Sequence, residues 1–292
     1  MKMFVTGASG MTGSYAPAVF DDFDLTLSDH AGSPVILDIC DSAAVRDAFE
    51  AVRPDVVLHL AAATDVDRCE QEPERAYRHN ALGTENVALA CREFDVLLVY
   101  VSTAAVFSGD KPEPYVEYDD TNPISFYARS KLAGEHSVAS MLERYYIVRA
   151  GWMVGGGARD KKFVGKLAQM MFEGHSEIKA VNDKIGSPTY AKDFLAGIKA
   201  ILPTEHYGLF HMVNEGKCTR CDVAEAIKRG LGKTNVTIQP VSSDHFPLPA
   251  PRGASEALRN LKLELTGFHR MRPWQEAVDE YLVEELMPVF SD

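Results

Sequence analysis

The chain has 292 residues, with 30 Lys plus Arg against 42 Asp plus Glu and a formal net charge of −12. At roughly 150 residues per domain this length predicts about two domains, each able to bury a core. So acidic a chain excludes a sequence-independent nucleic-acid binder and a membrane-surface protein, since both need cationic faces; any phosphate bound here is held by local features. Hydrophobic residues at 46% and charged ones at 25% place the chain among compact globular proteins. Five scattered cysteines (Cys40, Cys69, Cys91, Cys218, Cys221) do not make a disulfide scaffold and predict a reducing compartment. The opening MKMFVTGASGMTG lacks the apolar stretch of a signal peptide, and no run approaches the ~18 apolar residues of a membrane span. A cytoplasmic chain whose fold starts at its first residue is expected.

In chain order, short apolar runs at 3–6, 24–27, 35–37, 55–61 and 95–102 read as strands, with helix-like stretches at 42–52 and 74–92 between them. The runs DVVLHLA and DVLLVYV are almost wholly apolar, as strands buried on both faces of a parallel sheet are. The class is therefore α/β: a Rossmann-type doubly wound parallel sheet. A helix at 126–143 leads into the strand-like YYIVRA at 145–150, and Gly155, Gly156 and Gly157 then break the chain. Residues 1–150 are expected to bind a dinucleotide and 151–292 to form a smaller C-terminal α/β substrate domain. The segment 181–202 is expected to pack back onto the sheet as an extra strand and helix. Further helices are read at 162–172, 191–202, from Cys221 and over 273–287, with a strand-like GLFHMV before Cys218 and an exposed PLPAPRG loop at 247–253.

The first strand runs into Thr6-Gly7-Ala8-Ser9-Gly10-Met11-Thr12-Gly13. Glycines three apart let the backbone turn sharply after a strand, approach a pyrophosphate closely and open a helix. The second strand ends at Asp29, where an acidic side chain accepts hydrogen bonds from an adenosine ribose diol. No Lys or Arg occurs between Met3 and Val45 to meet a 2′-phosphate, so NAD(H) is favoured, with NADP(H) possible. Tyr127 and Lys131 stand four apart on a predicted helix, on one face and about 6 Å apart along its axis. A phenol of pKa ~10 needs a nearby ammonium to serve as an acid–base group at neutral pH. Ser102-Thr103 ends the buried strand and offers a hydroxyl near the same point.

With TGASGMTG, Asp38-Ile39, Ala61-Ala62-Ala63, Asn80-Ala81-Leu82-Gly83-Thr84, Ser102-Thr103 and Tyr127-x-x-x-Lys131, the chain resembles the extended short-chain dehydrogenase/reductases. Within them it is most similar to the dTDP-4-dehydrorhamnose reductases, over essentially its whole length. That resemblance implies hydride transfer from a reduced nicotinamide to the C4 ketone of a nucleotide-linked 4-keto-6-deoxy sugar. It implies Tyr127 as proton donor, Lys131 as the group that binds the nicotinamide ribose and lowers the tyrosine pKa, and Thr103 as hydrogen-bond donor to the carbonyl. Gly7, Gly10, Met11, Thr12 and Gly13 would hold the pyrophosphate, Asp38 and Ile39 the adenine edge, and Ala61, Ala62 and Ala63 the cofactor face. Thr64, Val66 and Trp152 would line the sugar site, Arg252 would meet the substrate diphosphate, and Asn80 would be structural.

The family's Asp-Tyr after the threonine is Ala104-Ala105 here, which argues against dehydration and brings the segment nearer to sugar epimerases. An epimerase, and a non-catalytic regulatory subunit resembling the same family, are the alternatives. Neither Cys218-x-x-Cys221 nor the nine histidines make metal-ligand spacing; Thr219 and Asp222 read as a helix cap, and His59 as a satisfied core residue. No metal is expected, no nucleic-acid or membrane partner, and the protein is expected to be a monomer or homodimer.

Overall fold

The computed structural model describes residues 1–291. Seven strands make the central sheet: β1 Lys2–Thr6, β2 Asp24–Asp29, β3 Val35–Ile36, β4 Val56–His59, β5 Leu97–Thr103, β6 Tyr145–Ala150 and, from much later in the chain, Gly208–His211. Their order is 3-2-1-4-5-6 with Gly208–His211 beside β6, and every pair is parallel. This is the doubly wound order, whose switch point between β1 and β4 opens a crevice at the strand C-termini. Val56–His59 is wholly buried, as its unbroken apolar run requires.

One face of the sheet packs Met3, Val5, Leu58, Val99 and Val148 against Phe194, Leu195, Ile198 and Ile201 of the helix Ala191–Ile201. The other packs Phe4, Val57, Leu98 and Tyr100 against Val45, Phe49, Val87 and Cys91. The helix Ser42–Val52 begins at Asp41, whose carboxylate accepts from the Ala43 and Ala44 amides, and ends at Arg53 in a left-handed conformation, φ 51°.

The helix Ala191–Ile201 within 181–202 thus lies on the sheet, whereas the strands within that segment, Ile185–Gly186 and Pro188–Tyr190, pair in small sheets of their own. Glu177–Val181 alternates exposed and buried residues, the pattern of a half-covered strand, and pairs in parallel with Thr237–Val241 in a small sheet of its own. The seventh strand is Gly208–His211, whose Phe210 and His211 are buried beside β6.

A second hydrophobic core gathers Leu167 and Met171 from the helix Phe163–Phe172, Ile227 from Arg220–Gly230, and Trp274, Val278 and Tyr281 from Trp274–Tyr281. Beside it Trp152–Val154 pairs with Pro188–Tyr190, and Ile185–Gly186 lies between Cys218–Thr219 and Ser255–Glu256. These short strands carry the wall of the cavity opposite the large sheet.

Candidate functional site

The glycine loop is built by close approach. Gly7 has φ +70°, and a Cβ there would stand 2.6 Å from the Ala61 amide nitrogen; one on Gly13 would stand 2.5 Å from the Gly7 carbonyl oxygen. Both positions need glycine, the first for conformation and space, the second for space. The helix that follows is short, a 3₁₀ turn Gly13–Tyr15 and then Ala16–Val19 with Pro17 inside its first turn. The Met11 side chain lies where a Cβ on Gly156 would be, 2.7 Å from its Cγ, so the loop after Trp152–Val154 covers the glycine loop.

At the end of β2, Asp29 accepts from the Ser9 amide and hydroxyl (3.1 and 2.6 Å) and from the His30 amide and ring nitrogen (2.7 and 2.6 Å). Burial works against its charge, but these bonds outweigh it and hold the carboxyl below the usual range. Both oxygens are thus partnered within the protein, one of them by the largely exposed His30 ring. Asp38 is exposed and accepts from the Cys40 amide, 2.9 Å. Ile39 turns its side chain into the core, and its carbonyl accepts from Asn86, 2.9 Å.

The loop after β4 is fixed by Asn80. Its carboxamide accepts from the Ala63 amide (2.8 Å) and donates to the Ala63 carbonyl and the Ser130 hydroxyl (3.1 and 3.0 Å). The helical stretch expected over 74–92 is in fact Pro73–Tyr77, a wide π-turn Arg78–Leu82 and Gly83–Phe94. Asn80 sits in the wide turn, fully buried.

Ser125 caps the helix Phe126–Met141 by accepting from the Ala128 amide, 3.3 Å, and this helix carries Tyr127 and Lys131. It lies tightly on the sheet because Gly134 has no side chain: a Cβ there would strike the Tyr100 hydroxyl and stand 2.6 Å from the Asn80 carbonyl oxygen. Burial pushes the Tyr127 phenol up to about 12, against a smaller lowering by the Thr103 hydroxyl. Burial also pushes the Lys131 ammonium down to about 7, partly offset by Glu135; its Nζ lies 4.1 Å from the centre of the Tyr100 ring. The expected lowering of the phenol by Lys131 is therefore not what this site displays. Desolvation wins, and the phenol holds its proton at neutral pH.

One turn beyond Lys131, Glu135 meets Arg149 of β6 in a buried pair, with Nε to Oε1 2.9 Å and Nη2 to Oε2 2.6 Å, and accepts from Ser102, 2.5 Å. The two side chains are only 6% and 4% exposed.

A cavity of about 720 Å³ opens at the C-terminal ends of β4, β5 and β6. It brings together Thr12, Ala62, Thr64, Val66, Thr103, Tyr127, Lys131, Trp152 and Arg252 among the expected residues. Gly7, Gly10, Met11, Gly13, Asp29, Asp38, Ile39, Ala61 and Ala63 lie outside its wall. Ala105 faces the cavity, whereas Ala104 is buried beside Val106, Phe107 and Val213, so the pair differ in what they can influence. Arg252 is engaged, its Nη2 donating to Asp67 (3.0 Å) and its Nη1 to the Ala250 carbonyl (2.9 Å). Cavity residues that the sequence did not point to include Lys161, Lys162, Phe163, Lys166, Arg220 and Glu256. Thr219 and Asp222 make a reciprocal capping box, and Cys221 donates to the Ala180 carbonyl, 3.0 Å. His59 stands between Thr6 (2.7 Å) and Thr84 (3.2 Å). Among the described residues no helix is long and apolar enough to cross a membrane.

Residues 1–287 match the RmlD substrate binding domain family. A dTDP-4-dehydrorhamnose reductase of Mycobacterium tuberculosis is 36% identical over 284 residues, 95% of this chain and 91% of the relative. The crystal structure of a dTDP-4-dehydrorhamnose reductase from Clostridium acetobutylicum superposes with a TM-score of 0.92 at 35% identity, covering 97% of this chain and 99% of the other. One from Bacillus anthracis, in complex with NADP, does so with 0.91 at 34% identity and the same coverage. Similarity of this extent, with the Rossmann order of the sheet, places the chain in the RmlD substrate binding domain family of the extended short-chain dehydrogenase/reductase superfamily.

Proposed function

We propose that the protein reduces the C4 ketone of a nucleotide-linked 4-keto-6-deoxy sugar at the expense of a reduced nicotinamide dinucleotide. The observation that carries this reading is the convergence of Thr103, Tyr127 and Lys131 on one cavity, next to the glycine loop. The cradle fits a dinucleotide pyrophosphate, since Gly7 and Gly13 let the loop fold tightly onto Ala61 and onto its own backbone, the sharp turn after a strand that a pyrophosphate approaches. When bound, that cofactor supplies the hydride that ends on C4.

The chain's own residues do the rest. Thr103 donates to the ketone oxygen and orients it. Tyr127, protonated at neutral pH as its raised pKa requires, gives its proton to that oxygen as negative charge develops there. Lys131, close to half protonated near pH 7, places a cation one turn away to steady the phenolate left behind. Hydride on carbon and proton on oxygen together make the alcohol.

For the cofactor, NADH is favoured. The Asp29 carboxylate stands at the end of β2, and no Lys or Arg occurs between Met3 and Val45 to offset it against a 2′-phosphate. The test is nicotinamide oxidation with a panel of 4-keto-6-deoxy nucleotide sugars, using NADH and NADPH in parallel. One cofactor oxidised per sugar supports a reductase; turnover without net oxidation would make the protein an epimerase. Tyr127→Phe is expected to lower kcat by roughly 10²- to 10⁴-fold while cofactor affinity is kept. An unchanged kcat would refute the role of Tyr127.

A further inference from the structure

Arg220 is the first residue of the helix Arg220–Gly230, set there by the Thr219–Asp222 capping box. Its guanidinium lies between two aromatic faces, 3.7 Å from the Trp152 ring centre and 4.9 Å from that of Phe163. Among the described residues no carboxylate comes within 4 Å of it and it donates to no protein acceptor, although it lines the cavity. The nearest candidate, Glu256, is used otherwise: its Oε2 accepts from Trp152 Nε1 at 2.8 Å, which turns the indole face towards Arg220. Gly186 lies flat under the same indole, where any Cβ would strike the ring. The stack is therefore held from behind and its five N–H donors are left for something else.

Burial pushes Arg220 down to about 10, with Glu256 opposing the shift and the nearby charge of Arg252 adding to it. Lys162, exposed at the mouth of the cavity, lies close enough to feel both Asp160 and Arg220, and its Nζ makes no ion pair within 4 Å among the described residues. Glu256 and Asp160 lie near enough to offset part of this positive charge, but neither makes an ion pair within 4 Å with Arg220 or Lys162, so the donors of both cations stay free for an anionic ligand. A planar guanidinium fixed between aromatic rings presents paired donors that match the oxygens of a phosphate.

We propose that Arg220, stacked between Trp152 and Phe163 and assisted by Lys162, is the anchor for the diphosphate of the nucleotide substrate. The inference deepens the nucleotide-sugar reading above and rests on it for the identity of the ligand. Arg252, held by Asp67, is secondary.

The experiment is calorimetric titration of the full chain and its Arg220→Gln and Arg220→Lys variants with dTDP, inorganic pyrophosphate and NADH. Arg220→Gln is expected to weaken dTDP and pyrophosphate by roughly 10- to 100-fold, the worth of one or two hydrogen bonds between charged partners. NADH affinity should stay within about twofold, which also verifies the fold. Arg220→Lys, with charge but no planar fork, should fall between. Equal dTDP affinity in wild type and Arg220→Gln, absence of dTDP binding by the wild type, or loss of NADH in place of dTDP would each overturn the proposal. Arg220-dependent dTDP binding without turnover of any 4-keto sugar would support the anchor and refute the reductase reading. Turnover whose sugar KM is unmoved by Arg220→Gln would do the reverse.

Discussion

Replacing Glu135 by Gln tests how the catalytic helix is tied to the sheet. The substitution keeps the shape of the side chain and removes its charge, leaving the Arg149 guanidinium 4% exposed with no counter-ion. Arg149 Nη1 already has no partner among the described residues, so nothing stands ready to take over. Breaking a buried ion pair from one side costs about 3–5 kcal/mol, because the surviving charge stays desolvated. At about 2–4 °C per kcal/mol for a chain of this size, thermal unfolding should fall by roughly 6–20 °C. Replacing the pair together, as Glu135→Leu with Arg149→Met, removes both desolvation penalties and should cost far less than Glu135→Gln alone.

A second readout separates support of the fold from support of Lys131. Glu135 is the charge that opposes the downward push of burial on Lys131. Without it the ammonium falls further below about 7, so the alkaline limb of the kcat profile moves to lower pH. Urea titration of both variants and a pH–rate profile of Glu135→Gln are the assays. A Glu135→Gln protein within about 1 kcal/mol of wild type, or an apolar double variant as unstable as the single, would refute the energetic argument. An unmoved alkaline limb would refute the link to Lys131.

Two buried histidines set the acid limit. Burial pushes His59 and His211 down to about 3 in the folded state, against an ordinary 6.5, so between these values the unfolded chain binds more protons and stability is lost as pH falls from 6.5 towards 3. By about pH 4.5 each should cost roughly 2–3 kcal/mol, and His59→Gln should flatten the slope of urea-derived stability against pH; an unchanged slope would exclude His59 as its source. Gly134→Ala gains about 1 kcal/mol of helix propensity but places a Cβ 2.6 Å from the Asn80 carbonyl, backbone that cannot step aside. Overpacking of this kind costs about 1–3 kcal/mol or more, so net destabilisation with reduced kcat is expected, and a more stable variant would show that the helix is free to lift.

The sheet was legible because parallel strands buried on both faces write themselves as unbroken apolar runs, as Val56–His59 does. Tyr127, Lys131 and the glycine loop were legible because their chemistry lies in short local spacings. What depended on distant partners was not. The short strands within 181–202 and the strand Gly208–His211 compete in sequence for the extra place in the sheet, and it is Gly208–His211 that pairs with the edge of β6, over fifty residues earlier. Asp29 reads as a free carboxylate until Ser9 and His30 are seen to partner it.

Arg220 was the least legible of all, for a physical reason. A cation just after a helix cap is ordinarily solvated, and the rings that remove it from water come from Trp152 and Phe163, far back in the chain. The charge balance pointed in the right direction without a position: a chain with 42 acids must hold an anion on cations that its own carboxylates leave unpaired. Most candidate cations fail that condition on inspection, since Arg149 is spent on Glu135, Arg252 on Asp67, Lys192 on Glu280 and Arg272 on Asp193. Arg220 and Lys162 make no such ion pair inside the cavity that holds Tyr127, where Lys161 and Lys166 add further positive charge. In an acidic protein, the cation that specifies an anionic ligand is found by which carboxylates are turned away from it, and here Glu256 is turned towards Trp152.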